Sequence, residues 1–133
     1  MQLNITTDYA VRIVVYTSRV RKLVTSKELS DALAIPQSLV YKICRKLSTH
    51  GIIKSTAGVQ GGFTLERDPE DITLFEVFEL FEPKIKLNRC LEEDSFCNRS
   101  ATHGCPIRKV YSRLQNKFEA ELKSITMKDF LDQ

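Results

Sequence analysis

No stretch of the 133 residues approaches the roughly 20 consecutive apolar positions that a membrane-spanning helix needs. The opening MQLNITTDYAVR lacks a basic segment followed by an apolar core and a small-residue cleavage site, so no secretory leader is expected and the reducing cytoplasm is the anticipated compartment. With only four cysteines, a disulfide-stapled secreted scaffold is not expected either. The compositional marks of disorder are absent too, because 42% of the residues are hydrophobic and 28% charged, as in an ordinary globular domain. Also missing is any C-x2-C pair, the habitual spacing of zinc ligands. The length suits one modest domain, or a compact head with an appended helix, rather than two independent cores.

The net charge of +3 conceals an uneven distribution. Up to Arg67 there are ten Lys/Arg against four Asp/Glu; beyond it, ten against thirteen. A basic excess confined to one module is the footprint expected of a site for a polyanion.

Between Thr7 and Val20 the β-branched residues Val11, Ile13, Val14 and Val15 locally favour a strand. The stripe Ala10, Val11, Val14 and Val15, with Thr6 or Thr7 as cap and Asp8 in the first turn, argues for a helix instead. A capping box, Thr25 to Glu28, starts a short second helix from Ser26 to Leu33, and Ala34-Ile35-Pro36 makes a tight connection to a third from Pro36 to about His50. Gly51 is placed to end it. Leu39, Val40, Ile43, Cys44 and Leu47 form its buried stripe, while its other faces are polar, aromatic and basic. Residues 52–55 and 63–65 alternate around the turn Gly58-Val59-Gln60-Gly61-Gly62 and read as a β-hairpin. Helix, turn, basic helix and hairpin in this order make a winged helix-turn-helix, so the fold class expected is mainly α with a small hairpin wing. A further capping box, Thr73 to Glu76, launches a helix with Leu74, Val77, Phe78 and Phe81 inward, which Pro83 stops. The last helix opens at Pro106 and carries a one-sided seam of Ile107, Val110, Leu114, Phe118, Leu122 and Ile125. That seam suits dimerisation through a second copy of the helix, with packing on its own head as the competing reading. The units anticipated are thus a DNA-binding head over 1–83, a cysteine-rich loop over 84–105, and a dimerisation helix with its tail over 106–133.

Three of the cysteines, Cys90, Cys97 and Cys105, fall inside a loop without helical or strand period. Three thiols cannot all pair with one another, and intervals of six and seven residues leave loops wide enough to wrap a multinuclear iron-sulfur core rather than one zinc ion. Arg89, Arg99, Arg108, Lys109 and the start of the last helix offset the charge of such a core. A further ligand remains open: His103 within the loop, or a carboxylate from elsewhere. Cys44 reads as a small core hydrophobe. An enzyme with Cys105 as nucleophile and His103 as base lacks an orienting third group. Zinc-stabilised and purely thiol-based DNA binders are the remaining alternatives.

The chain resembles the bacterial winged-helix repressors that include the cluster-biogenesis regulator IscR and the nitric-oxide sensor NsrR, and it looks closest to the NsrR branch. The likeness rests on Met1-Gln2-Leu3 with Thr7-Asp8-Tyr9-Ala10, on Gly58-x-x-Gly61-Gly62-Phe63, on Phe81-Glu82-Pro83, on the three-cysteine loop, and on Glu121-Leu122 through Thr126-x-x-Asp129-Phe130-Leu131. It implies a homodimer on a palindromic promoter site and a cluster, [4Fe-4S] rather than [2Fe-2S], held by Cys90, Cys97 and Cys105 with Asp8 of the partner subunit as further ligand. It also implies that nitric oxide acting at the iron breaks this tie between subunits. Two features depart from the family: longer intervals between the cysteines, which keep His103 in play, and Ala57, where many relatives carry an arginine for the minor groove. In the head, Gln37, Ser38, Tyr41, Lys42 and Arg45 lie on the early, exposed part of the recognition helix. Gln37 and Arg45 suit base edges, Lys42 and Lys46 phosphates, and Lys54, Gly58 and Gln60 the wing's contacts.

Overall fold

The computed structural model describes residues 1–132. Its helices are α1 (Ile5–Val20), α2 (Ser26–Leu33), α3 (Gln37–Thr49), α4 (Leu74–Phe81) and α5 (Pro106–Ser124), with one hairpin of β1 (Ile53–Thr56) and β2 (Gly62–Leu65). The mainly helical class with a small wing is as expected. No helix among the described residues is long and apolar enough to cross a membrane.

α1 is helical despite its β-branched run because Ala10, Ile13, Val14, Thr17 and Ser18 share one buried face, and burial outweighs weak local propensity. Its cap is neither Thr6 nor Thr7. The Asn4 side chain accepts the Thr6 N–H at 2.8 Å instead, so the helix begins earlier than the hydroxyls suggest. Both expected capping boxes form only by half. Thr25 and Thr73 accept the N–H of Glu28 and Glu76, at 3.0 and 3.1 Å, but the carboxylates turn to tertiary partners. Glu28 accepts from the Tyr16 hydroxyl at 2.9 Å, tying α2 to α1, and Glu76 pairs with Arg67.

Ala34, with φ 55°, closes α2 in left-handed geometry, and the buried Ile35 pins the turn into α3. Val40, Ile43, Cys44 and Leu47 are buried along α3 while Leu39 is half-buried, and Gly51 at φ 73° follows its end. The wing pairs Ile53 with Leu65 and Thr56 with Gly62. Its base is fastened to the head by a bridge in which Val24 and Phe63 exchange hydrogen bonds of 2.9 and 2.8 Å. Gly62 is required there, since a Cβ would lie 2.3 Å from the Val24 carbonyl oxygen.

α5 packs on α4, and the tail behind it re-enters the head. Leu74 donates to the Ile125 carbonyl at 2.8 Å, Met127 donates to that of Ile72 at 2.9 Å, and the Met127 side chain is wholly buried in the core. Of the α5 seam, Leu122 is buried and Ile125 half-buried, whereas Ile107, Val110, Leu114 and Phe118 remain 44–50% exposed.

Candidate nucleic-acid interface and cysteine site

The head presents Gln37, Ser38, Tyr41, Lys42, Arg45 and Lys46 on the exposed side of α3, opposite its buried stripe. They are not equally free. Gln37 donates its side-chain N–H to the Ser26 hydroxyl at 2.9 Å, bracing the start of α3 against α2. Tyr41 meets Phe63 edge to face, with ring centres 6.4 Å apart, so it joins the recognition helix to the base of the wing. The Lys46 ammonium sits 5.3 Å from the centre of the Phe81 ring and leans toward α4. Lys42 and Arg45 are exposed and outside every ion pair among the described residues, which leaves both available to an incoming polyanion. On the wing, Lys54, Gly58 and Gln60 are all exposed, as is Val59 at the tip. Phe63 was not foreseen as a partner of the reading face, although its place in the hairpin alternation marked it as inward.

Cys90, Cys97 and Cys105 line a single cavity of about 240 Å³ together with Arg89, Arg99 and Arg108. All three are partly exposed free thiols. Each sulfur has a donor aimed at it. Cys105 is the cap of α5 and accepts the Arg108 N–H at 3.5 Å, and Cys90 accepts from the Asn88 side-chain amide at 3.4 Å. The backbone N–H groups of Ala101 and Arg99 hold the Cys97 thiol below its ordinary range, against a smaller desolvation effect. Three cysteine sulfurs, nearby guanidinium groups and a helix N-terminus together form a donor set that fits an anionic, sulfur-ligated group. Among the described residues no three His, Cys, Asp or Glu side chains draw close enough to hold one metal ion, so the sulfurs ring the cavity rather than meet at a point.

Cys44 stands apart in the core, where burial pushes its thiol up to about 12 and keeps it protonated. Neither proposed further ligand lines the cavity. Asp8 lies on α1 paired with Arg12 at 2.6 Å, and His103 is exposed on the loop.

Polar ties rather than apolar burial hold the loop. The buried Gln115 of α5 accepts the Leu87 N–H at 2.6 Å and donates to the Ile85 carbonyl at 3.1 Å, and Lys86 pairs with Glu119 at 2.7 Å. Farther along, Arg89 holds Asp94 and Glu92, stacks on Phe96 at 5.4 Å, and so closes the first turn of the loop on itself. Arg108 donates from Nε to the Cys90 carbonyl at 3.1 Å, binding that turn to the start of α5. Gln115 escaped the sequence reading because it interrupts no pattern.

The model of the Rrf2 family, described as iron-dependent transcriptional regulator, matches residues 3–133. The chain is 29% identical over 128 residues to a protein of Aquifex aeolicus described as an HTH-type transcriptional regulator, covering 96% of this chain and 89% of that one. Among solved structures it is similar to CymR, the global cysteine regulator of B. subtilis, with a TM-score of 0.80 at 18% identity over 99% of this chain and 97% of that one. It is likewise similar to T. potens IscR, with a TM-score of 0.75 at 21% identity over 99% of this chain and 87% of that one. With the winged helix, the reading face and the family match in agreement, the chain belongs to the Rrf2 family and is a transcriptional regulator, not an enzyme.

Proposed function

We propose that the chain is an iron-sulfur-dependent DNA-binding repressor of the NsrR type, acting in the cytoplasm as a homodimer on a palindromic promoter site. The observation that carries the reading is the gathering of Cys90, Cys97 and Cys105, with three arginines, on one cavity at the start of α5. In this reading the three thiolates hold a [4Fe-4S] cluster, in preference to [2Fe-2S], and Asp8 of the partner subunit supplies the further ligand, with His103 as the alternative donor. When bound, the cluster supplies an iron whose oxygen or nitrogen ligand exchanges more readily than thiolate, which suits sensing of nitric oxide or of redox and iron status. Dimerisation is supported by Ile107, Val110, Leu114 and Phe118 of the α5 seam, which each leave about half of their surface exposed along one side of the helix. α3 carries the base-reading residues, and Lys54, Gly58 and Gln60 of the wing contact the flanking backbone.

A second reading keeps the fold and dispenses with iron: a regulator that is stabilised by zinc or responds through thiol chemistry alone. The depressed Cys97 thiol and the similarity to a cysteine regulator favour its thiol form. Anaerobic preparation with iron and sulfide separates the readings. The first expects brown protein with iron and sulfide in each chain and a spectrum altered in Asp8→Ala but not in His103→Ala. Colourless protein whose DNA binding responds to thiol oxidants supports the second.

A further inference from the structure

We propose that Glu82 is the positioning residue that sets the seat of the recognition helix from the start of α1. This rests on DNA reading by α3, not on what the cysteine loop binds. Glu82 lies just beyond the end of α4, where its Oε2 accepts two hydrogen bonds from α1's leading edge. One comes from the Asn4 N–H at 3.1 Å and the other from the fully buried Thr7 hydroxyl at 2.8 Å. Charge-assisted bonds of this kind are among the stronger polar ties a protein makes. The preceding residue, Phe81, carries the Lys46 ammonium of α3 on its ring. A single carboxylate and its neighbour therefore touch both α1 and the basic side of α3.

Beneath this junction the three helices share the buried core of Ile13, Val14, Ile43 and Val77, but its outer side is open. A cavity of about 360 Å³ opens where the three helices meet, lined among others by Asn4, Leu39, Lys42, Lys46, Phe81 and Glu82. At this open edge the directional bonds of Glu82 add to the core beneath in fixing the relative position of the helices. The chain continues from both arms of this contact toward the residues named above as a sensor. Asp8 follows Thr7, and Pro83 opens the run into the cysteine loop. A displacement of either arm reaches α3 through Glu82 and the adjoining Phe81 ring, which makes Glu82 the link between loop and reading face.

The test uses the full chain in whichever iron state binds DNA, with a duplex that the wild-type protein selects from a random-sequence library and an unrelated duplex, both at one salt concentration. Glu82→Ala and Thr7→Val are each expected to weaken the selected duplex between roughly two- and thirtyfold, the span seen along coupled networks, and to leave the unrelated duplex unchanged. Thr7→Ser, which keeps the hydroxyl, is expected to bind as wild type, and Glu82→Gln, which keeps one oxygen acceptor and the side-chain volume, to fall between. The double variant is expected to be no weaker than Glu82→Ala alone, because both remove one interaction. Amide exchange is expected to rise in α3 as well as in the first turn of α1. Faster exchange confined to α1, with selective binding intact in Glu82→Ala and Thr7→Val, overturns the proposal. Absence of iron from the protein leaves this readout untouched, so failure of the cluster reading and failure of the link are distinguishable.

Discussion

The head and the cysteine loop are built on opposite principles. In the head, Ile13, Val14, Leu29, Val40, Ile43, Leu47, Ile52 and Met127 are essentially removed from water and meet in one core. In residues 84–105 no side chain is buried, and order comes from an amide clamp, a short helix cap and arginine ties. Polar ties at a solvent-accessible surface contribute about 1 kcal/mol each, whereas a core aliphatic contributes several times that. The head, completed by Met127 from the tail, is thus ordered by apolar burial, while the loop has the weak intrinsic stability of a segment whose arrangement a bound group can govern.

The largest expected effect tests the head's side of that comparison. Ile43→Ala removes a wholly buried side chain from the centre of α3 and is expected to cost about 2–5 kcal/mol, read as the shift of a cooperative denaturant midpoint. Leu91→Ala in the half-buried loop is expected to move the same midpoint by less than about 1 kcal/mol, and an equal loss in both would erase the distinction. Next, Arg45→Ala is expected to weaken specific DNA binding by about 1–3 kcal/mol at fixed salt, with the cysteine loop's amide exchange unchanged. An unaltered affinity and footprint would remove Arg45 from the reading face.

Within the loop, Gln115→Ala deletes both halves of the clamp on residues 85–87 and is expected to cost about 1 kcal/mol, seen as faster exchange of the Leu87 amide while the head's core amides stay protected. The smallest effect is that of acid. The Lys86 ammonium, with help from Gln115, holds the Glu119 carboxyl below its ordinary value of 4.5. A carboxylate depressed in the folded state stabilises it above the unfolded value and loses that contribution as pH falls through the folded one. Protection of the Leu87 amide is therefore expected to be flat from neutrality down to about pH 5 and to decline below about pH 4, before the head unfolds. Loss of protection on raising the pH instead would contradict the assignment.

The same contrast explains what could be read from the sequence. α2, the turn at Ala34-Ile35-Pro36 and α3 were legible because their signals are local: a hydroxyl cap, a proline and a repeat of apolar residues. The start of α1 was not, because Asn4, Thr6 and Thr7 all offer a side-chain oxygen, and only the tertiary demand of Glu82 on Thr7 removes that hydroxyl from capping. Met127 was missed since its burial depends on an antiparallel bridge between Thr73 and Thr126, fifty-three positions apart in the chain. The cysteines announced themselves by type and spacing. Their supports did not, since Gln115, Arg108 and Asn88 act through hydrogen bonds that no periodicity encodes. Asp8 stands beside Arg12 and away from the sulfurs, so the donor role proposed for it across a dimer has no counterpart in the contacts of one subunit.

Cluster control of DNA binding is measured most directly as the affinity of the selected duplex for protein with and without reconstituted iron and sulfide, at one salt concentration, in the wild type and in a variant with Cys90, Cys97 and Cys105 all replaced by alanine. Cluster control requires a large difference between the two states of the wild type, no such difference in the variant, and the same head unfolding midpoint in both proteins. A variant that gains and loses DNA binding with iron as the wild type does, or a wild type that binds no iron and grips DNA identically in both states, would contradict it.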